Sequence, residues 1–336
     1  MMADVSAPDP PPDRRGLRDV LRTWVDPFVV LIVAVLVAGL LLPVRGEAST
    51  ALGHVQTGGV VLLFGLYGAR MATGDVWDGL RNLRLQGAML VATYVVFPLV
   101  GLLVQLLPDA VLAPDLRTGM LFCALLPSTV QSSVVFTSVA RGNVAGAITG
   151  ATASNLLGVL VTPVLVGLLM HGSGTPFGGS VVAILLQLVL PFAVGQLLQP
   201  WVGVRLRARP RVLRWADRSV ILLVVYVSVS EAQTSGAWAH VTAPVVGVLL
   251  AVCAAVLATM LTVTWWSGGR LALTRGDRIA LLMCGSKKSL ATGLPMAAVM
   301  FPAAVAASVA LPVIVFHQLQ LATCAVVARR LARSTS

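Results

Sequence analysis

The sequence predicts an all-α polytopic membrane protein with ten transmembrane helices in two inverted five-helix repeats. Three observations predict it. The chain is 57% hydrophobic and 11% charged, against roughly 25% charged residues in soluble domains. Its apolar residues fall into about ten runs, each near the ~20 residues that span a bilayer core. The fourth and ninth runs, one in each half, carry matching polar interruptions.

In chain order, residues 1–25 come first. They contain APDPPPDRRGLRD, Pro-rich and charged, and predict a disordered cytoplasmic tail. The polar lead is too long for a signal peptide. The apolar runs follow at 26–43, 56–73, 86–108, 117–140, 143–170, 178–199, 216–233, 242–266, 279–301 and 304–328. The gaps are short, so residues 26–330 form one transmembrane domain. Repeat one covers about 26–171 and repeat two about 177–330.

Charge sets the orientation. With both termini in the cytoplasm, 20 of the 24 Lys and Arg residues lie on the inner side. They include Arg14, Arg15, Arg70, Arg84, Arg141, the six arginines from Arg205 to Arg218, Arg270, Arg278 and Arg330. Only Arg45 and Arg117 lie outside. This is the positive-inside pattern of an inner (cytoplasmic) membrane protein with an even number of spans. The +11 net charge is therefore a topology signal, and nucleic acid is not the expected partner. The stretch VGVRLRARPRVLRWADR reads as a basic loop at the lipid surface. Cys123, Cys253, Cys284 and Cys324 all lie in apolar runs without metal-ligand spacing and read as small packing residues. Glu231 sits near the outer end of the seventh run.

The interruptions are Pro127-Ser128-Thr129-Val130-Gln131-Ser132-Ser133 and Cys284-Gly285-Ser286-Lys287-Lys288-Ser289. Each follows an apolar lead and precedes a short apolar run, a turn and a long final span. Matching breaks in two halves point to a binding site. Five spans per half invert the second repeat, so the breaks can meet at the midplane. Lys287 and Lys288 are the only lysines in the chain. Ammonium groups at bilayer depth cost several kcal/mol each, so they must face protein, water or ligand. Small hydroxyl residues also serve helix packing, which explains isolated Ser and Thr but not Gln131 or the lysine pair. Further polar candidates are Thr149, Thr152, Ser154 and Asn155 in the fifth run. His317 and Gln318 in the tenth are accompanied by Gln320.

PSTVQSSVVFTSVARGN, ATASNLLGVLVTP and CGSKKSLA together resemble the bile acid:sodium symporter family, in particular its sodium bile symporter-like transporter branch. The resemblance runs from about Asp26 to Arg330. It implies a panel domain (spans 1, 2, 6 and 7) and a core domain (3–5 and 8–10), with broken spans 4 and 9 crossing. It also implies sodium-site positions at Ser132 and Ser133, at Ala147 and Ala151, and at Leu282 and Ser286, where the family carries a carboxylate and an amide. The family's span-10 pair falls on His317 and Gln318. Here the carboxylate position holds Leu282, and Ala147 and Ala151 lack the hydroxyls. A sodium ion would have Ser132, Ser133, Thr152 and Asn155 as its ligands.

The sequence reads as a secondary transporter moving an organic anion, bile-acid-like or smaller, by alternating access. The coupling ion is sodium or a proton, and no other cofactor is expected. Substrate or ion contacts are expected at Ser128, Gln131, Ser132, Ser133, Thr149, Thr152, Ser154, Asn155, Ser286, Lys287, Lys288, Ser289, His317 and Gln318. The alternative is a non-transporting regulator or an ion pathway. An enzyme is the weakest reading, because the spans hold no HExxH, no GxSxG and no paired carboxylates.

Overall fold

The computed structural model describes residues 27–70, 82–170, 181–236 and 241–334. The expected tail, residues 1–25, and the arginines Arg14, Arg15, Arg18, Arg22 and Arg81 lie outside the described residues. So does the junction of the two expected repeats. All regular structure among the described residues is helical.

The helices are α1 (Pro27–Leu41), α2 (Glu47–Arg70), α3 (Leu83–Gln105), α4a (Pro114–Leu125) and α4b (Gln131–Val139). They continue with α5 (Val144–Met170), α6 (Val181–Arg207), α7 (Pro210–Ser235) and α8 (Ala243–Arg270). The chain ends in α9a (Arg275–Gly285), α9b (Leu290–Met300) and α10 (Ala303–Arg333). Among the described residues, α2, α3, α5, α8 and most of α10 are long and apolar enough to cross a membrane. The outward faces of these helices and of α6 carry large apolar side chains, such as Leu62, Leu99, Leu168, Leu186, Leu190 and Trp201, that are more than half exposed. Water would penalise such a surface, whereas lipid is its natural solvent. The protein is a multi-pass membrane protein.

Local chemistry fixes the ends. Asn82 caps α3 by accepting from Leu85 N–H at 3.2 Å. Proline stands in the first turn of α4a, α7 and α8, where no intrahelical donor is needed. Gly236 ends α7 with φ +72°, a conformation glycine adopts without strain. The basic stretch expected as a loop is mostly helix. α6 continues to Arg207 and α7 starts at Pro210. Arginine is a good helix former, and its long stem can hold the charge out at the interface.

Two groups of helices result. In the first, α2 packs along α6 while α1 and α2 pack on α7. A Cβ on Gly68 would lie 2.0 Å from the Phe192 carbonyl oxygen, and one on Gly195 would lie 2.0 Å from that of Gly65. The α2 and α6 backbones therefore touch directly. Arg70 and Asp217 add an ion pair at 2.8 Å between α2 and α7. The second group is built from α3, α4, α5, α8, α9 and α10 and holds both interrupted helices. The groups meet where α7 packs on α9b and α10, and where α6 packs on α5 and α9b.

Candidate functional site: the crossing of the two broken helices

α4a stops because Pro127 has no N–H and restricts the residue before it. Leu126 is accordingly extended (φ −71°, ψ 156°). α9a stops at Gly285, and Ser289 restarts the helix by accepting from Thr292 N–H at 3.3 Å. The breaks lie against one another, with Ser289 N–H donating to Pro127 O at 2.9 Å. A broken helix leaves carbonyls without donors, and lipid cannot supply any.

Polar residues of the two breaks and of α5 supply them. Ser128 Oγ donates to Cys284 O (2.6 Å) and Ser133 Oγ to Met283 O (2.9 Å). Ser286 Oγ donates to Leu282 O (2.6 Å), and Thr162 Oγ1 to Leu125 O (2.9 Å). Asn155 Nδ2 donates to Ser128 O (2.6 Å) and Ala151 O (2.9 Å). Ser154 Oγ accepts from Ser128 N–H at 3.0 Å. Ser128, Ser133, Ser154, Asn155, Ser286 and Ser289 thus hold the crossing together.

Both lysines are buried, at 0% and 1% exposure, but their surroundings differ. Lys288 Nζ donates to Leu126 O (2.7 Å) and Thr93 O (2.9 Å), and stands 4.2 Å from the Phe97 ring centroid. Both carbonyls need that donor. Leu126 O ends α4a, where helix carbonyls attract cations. Thr93 O sits in a π-turn of α3 (Ala92–Val96). There Phe97 N–H turns back to Ala92 O, and Pro98, next in line, has no N–H. Gln320 Oε1 accepts from Lys288 N–H and its Nε2 donates to Lys288 O, both at 2.8 Å. Among the described residues, Lys287 Nζ donates only to Ser132 O (3.1 Å), and it lies 4.1 Å from the Phe136 ring centroid. Among the described residues, no carboxylate pairs with either ammonium.

The remaining expected site residues spread out. His317 Nδ1 lies 2.8 Å from Gln320 Nε2, with Lys288 O at 3.5 Å, and Gln318 is half-buried beside it on α10. Ser132 Oγ meets Thr129 Oγ1. Gln131 is exposed at the start of α4b. Thr149 is buried and Thr152 half-buried on α5, and neither bonds an ammonium. The expected sodium ligands Ser132, Ser133, Thr152 and Asn155 are neutral side chains, the position expected to carry a carboxylate holds Leu282, and Lys287 Nζ donates to Ser132 O. That donor set fits a sodium ion poorly. Glu231 is half-buried near the end of α7.

Several residues at the crossing were not expected to matter. Gln320 is fully buried, and only its spacing from His317 hinted at it. Thr93 and Phe97 contribute through the π-turn, for which Pro98 is the sole sequence signal. A second polar cluster ties α3, α5 and α9a together near their N-termini. Buried Asp277 accepts from Asn143 Nδ2 (2.7 Å) and Asn82 Nδ2 (3.1 Å), and Asn143 N–H donates to Gly276 O (2.9 Å). A Cβ on Gly142 would lie 2.5 Å from Ile279 Cγ2. The ARGN turn is thus a packing joint against α9a.

A multi-pass helical protein with two broken helices crossed around buried cations has the build of a membrane transporter. Residues 26–333 match the SBF-like CPA transporter family, and the chain belongs to that family. It is 39% identical over 313 residues to "Putative symporter YfeH" of Escherichia coli, covering 92% of this chain and 94% of that one. An uncharacterized protein of Pseudomonas aeruginosa is 40% identical over 92% of this chain and 93% of its own. Sodium/bile acid cotransporter 7 of Rattus norvegicus is 26% identical over 91% of this chain and 92% of its own. The matched family and two of these relatives carry transporter, symporter or cotransporter names, so the chain is a transport-family protein and not an enzyme.

Proposed function

We propose that this protein is an alternating-access secondary transporter of an organic anion, with Lys287 as the substrate's charge partner. The proposed frame is ten transmembrane helices in two inverted five-helix repeats, set in the inner membrane with both termini cytoplasmic. The first helix group acts as panel and the second as core.

One observation carries the reading: among the described residues, two ammonium groups are buried at the crossing without a carboxylate partner. They divide the work. Lys288 is held by two carbonyls, an aromatic face and Gln320 around its backbone, which suits a permanent structural cation. Lys287 makes one hydrogen bond and keeps donor capacity, because an ammonium has three N–H groups. Ser132, four residues before Phe136, shares its face of α4b, and exposed Gln131 precedes it at the start of that helix. An anion reaching this point would gain a charge-assisted hydrogen bond in a water-poor site. The poor fit to sodium supports transport that needs little or none of it. Lysine can release a proton where arginine cannot, so a proton is the favoured coupling ion. The bile-acid names among the relatives make taurocholate the first substrate to try, followed by smaller carboxylates.

The test is uptake of radiolabelled taurocholate and short-chain carboxylates into liposomes holding the purified protein. Sodium and pH gradients are imposed separately. Uptake of an unaltered anion with a pH gradient and no sodium is expected. No uptake of any anion, or strict dependence on sodium, rejects the reading.

A further inference from the structure

An open groove of about 700 Å³ lies between the end of α8, the first turns of α9a and the last turns of α10. Its walls are apolar: Leu261 on α8, Leu282 on α9a, and Val327 and Leu331 on α10. One end is different. Arg270 lies 4.4 Å from the ring centroid of Trp266, and Arg278 lies 4.2 Å from that of Trp265. Arg278 Nη2 donates to Trp265 O at 3.1 Å, and its Nε is buried with no protein partner. Among the described residues, neither arginine pairs with a carboxylate. A Cβ on Gly268 would lie 3.0 Å from Arg278 Cγ, so glycine there leaves the room that Arg278 occupies.

We propose that this groove binds an anionic glycerophospholipid, its phosphate on Arg270 and Arg278 and one acyl chain along Leu261, Leu282, Val327 and Leu331. Charge complementarity identifies the occupant. A guanidinium presents a planar fork of donors that matches phosphate, and stacking on indole keeps it aimed. Tryptophan marks the interface between headgroup and hydrocarbon. Basic pockets between membrane helices on the positively charged side suit anionic headgroups. The neighbouring surface is apolar too, with Trp266 58% and Leu271 42% exposed, so the groove opens where acyl chains are at hand.

The groove floor is also the back of the crossing. Leu282 belongs to a small core with Ala140, Ile279, Met283, Cys324 and Ala328, on which Phe136 packs. Phe136 is the ring beside Lys287. A bound lipid braces the shell of that lysine from behind.

Native mass spectrometry of the full chain in detergent tests this, with phosphatidylglycerol and phosphatidylcholine of matched chains added in turn. Phosphatidylglycerol is expected to be retained preferentially. Arg270→Gln should cut that preference by roughly fivefold, the weight of one basic residue at a membrane surface. Arg270 is exposed and stacks only on Trp266, so this variant should fold. Val327→Trp leaves every charge in place and fills the groove, and should lose the preference as well. Equal retention of both lipids by the wild type overturns the proposal, as does an unchanged preference in both variants, which would place the lipid elsewhere. Displacement of phosphatidylglycerol by cholate at equal concentration also overturns it, in favour of a free amphipathic anion.

Discussion

The α2–α6 contact and the α4–α9 crossing solve the same problem, close approach of two helices in lipid, in opposite ways. At α2–α6 the chain removes side chains. Gly65, Gly68 and Gly195 let backbones touch, both helices run unbroken, and close packing holds most of the pair, with one hydrogen bond from Arg207 to Arg70 O at its end. At α4–α9 the helices are broken, and a set of hydroxyls, amides and ammonium groups repairs the lost bonds. The first contact is stiff and chemically mute. The second is polar, over-determined and able to exchange one partner for another. A transporter needs both, one body to move against and one to bind with.

The largest effect should come from filling the mute contact. Gly195→Leu forces atoms into a space where even a Cβ lies 2.0 Å from a carbonyl oxygen. Overpacking costs ~1–3 kcal/mol in cores that can give, and two backbones in contact cannot. Loss of monodisperse protein in size-exclusion chromatography is expected, and a normal profile would show that the helices can part.

Lys288→Met comes next. It strands Leu126 O and Thr93 O, each roughly 1–3 kcal/mol when left unpaired. Both thermal stability in detergent and transport should fall. A smaller loss is expected for Asp277→Asn: the amide keeps one acceptor for Asn143 or Asn82 and sets its NH2 against the other donor, so one of the two bonds is lost, at about 1–3 kcal/mol. A lower melting temperature with the site intact is the expected outcome. Ser133→Ala should be smallest, about 1 kcal/mol for one hydrogen bond to Met283 O. If it abolished transport while leaving stability unchanged, Ser133 would be a ligand and not a brace.

Much of this comparison was legible in the sequence. Pro127 and the Gly285-Ser286 pair announced the breaks because each stands in a run of hydroxyl and polar residues, whereas Pro163, Pro191 and Pro312, in apolar surroundings, stay inside their helices. Lys287 and Lys288 pointed to the crossing as a candidate site, because charge in an apolar run demands a partner. The partners themselves were not legible. Thr93 O becomes available only through the π-turn in α3. Gln320 matters only because α10 carries it past the α9 break. Ser128, Ser133 and Ser286, expected as ligands, donate their hydroxyls to carbonyls that the breaks release. That demand appears only when the two breaks are seen together. The reach of α6 and α7 into the basic stretch was missed because arginine clusters resemble loops by charge yet favour helix by propensity.

The most direct test of the central claim compares Lys287→Met with Lys288→Met in one assay pair: melting temperature in detergent and anion uptake in liposomes. The division of roles predicts that Lys287→Met keeps the wild-type melting temperature and loses uptake, whereas Lys288→Met loses both. Equal loss of stability in the two variants, or full uptake by Lys287→Met, would contradict it.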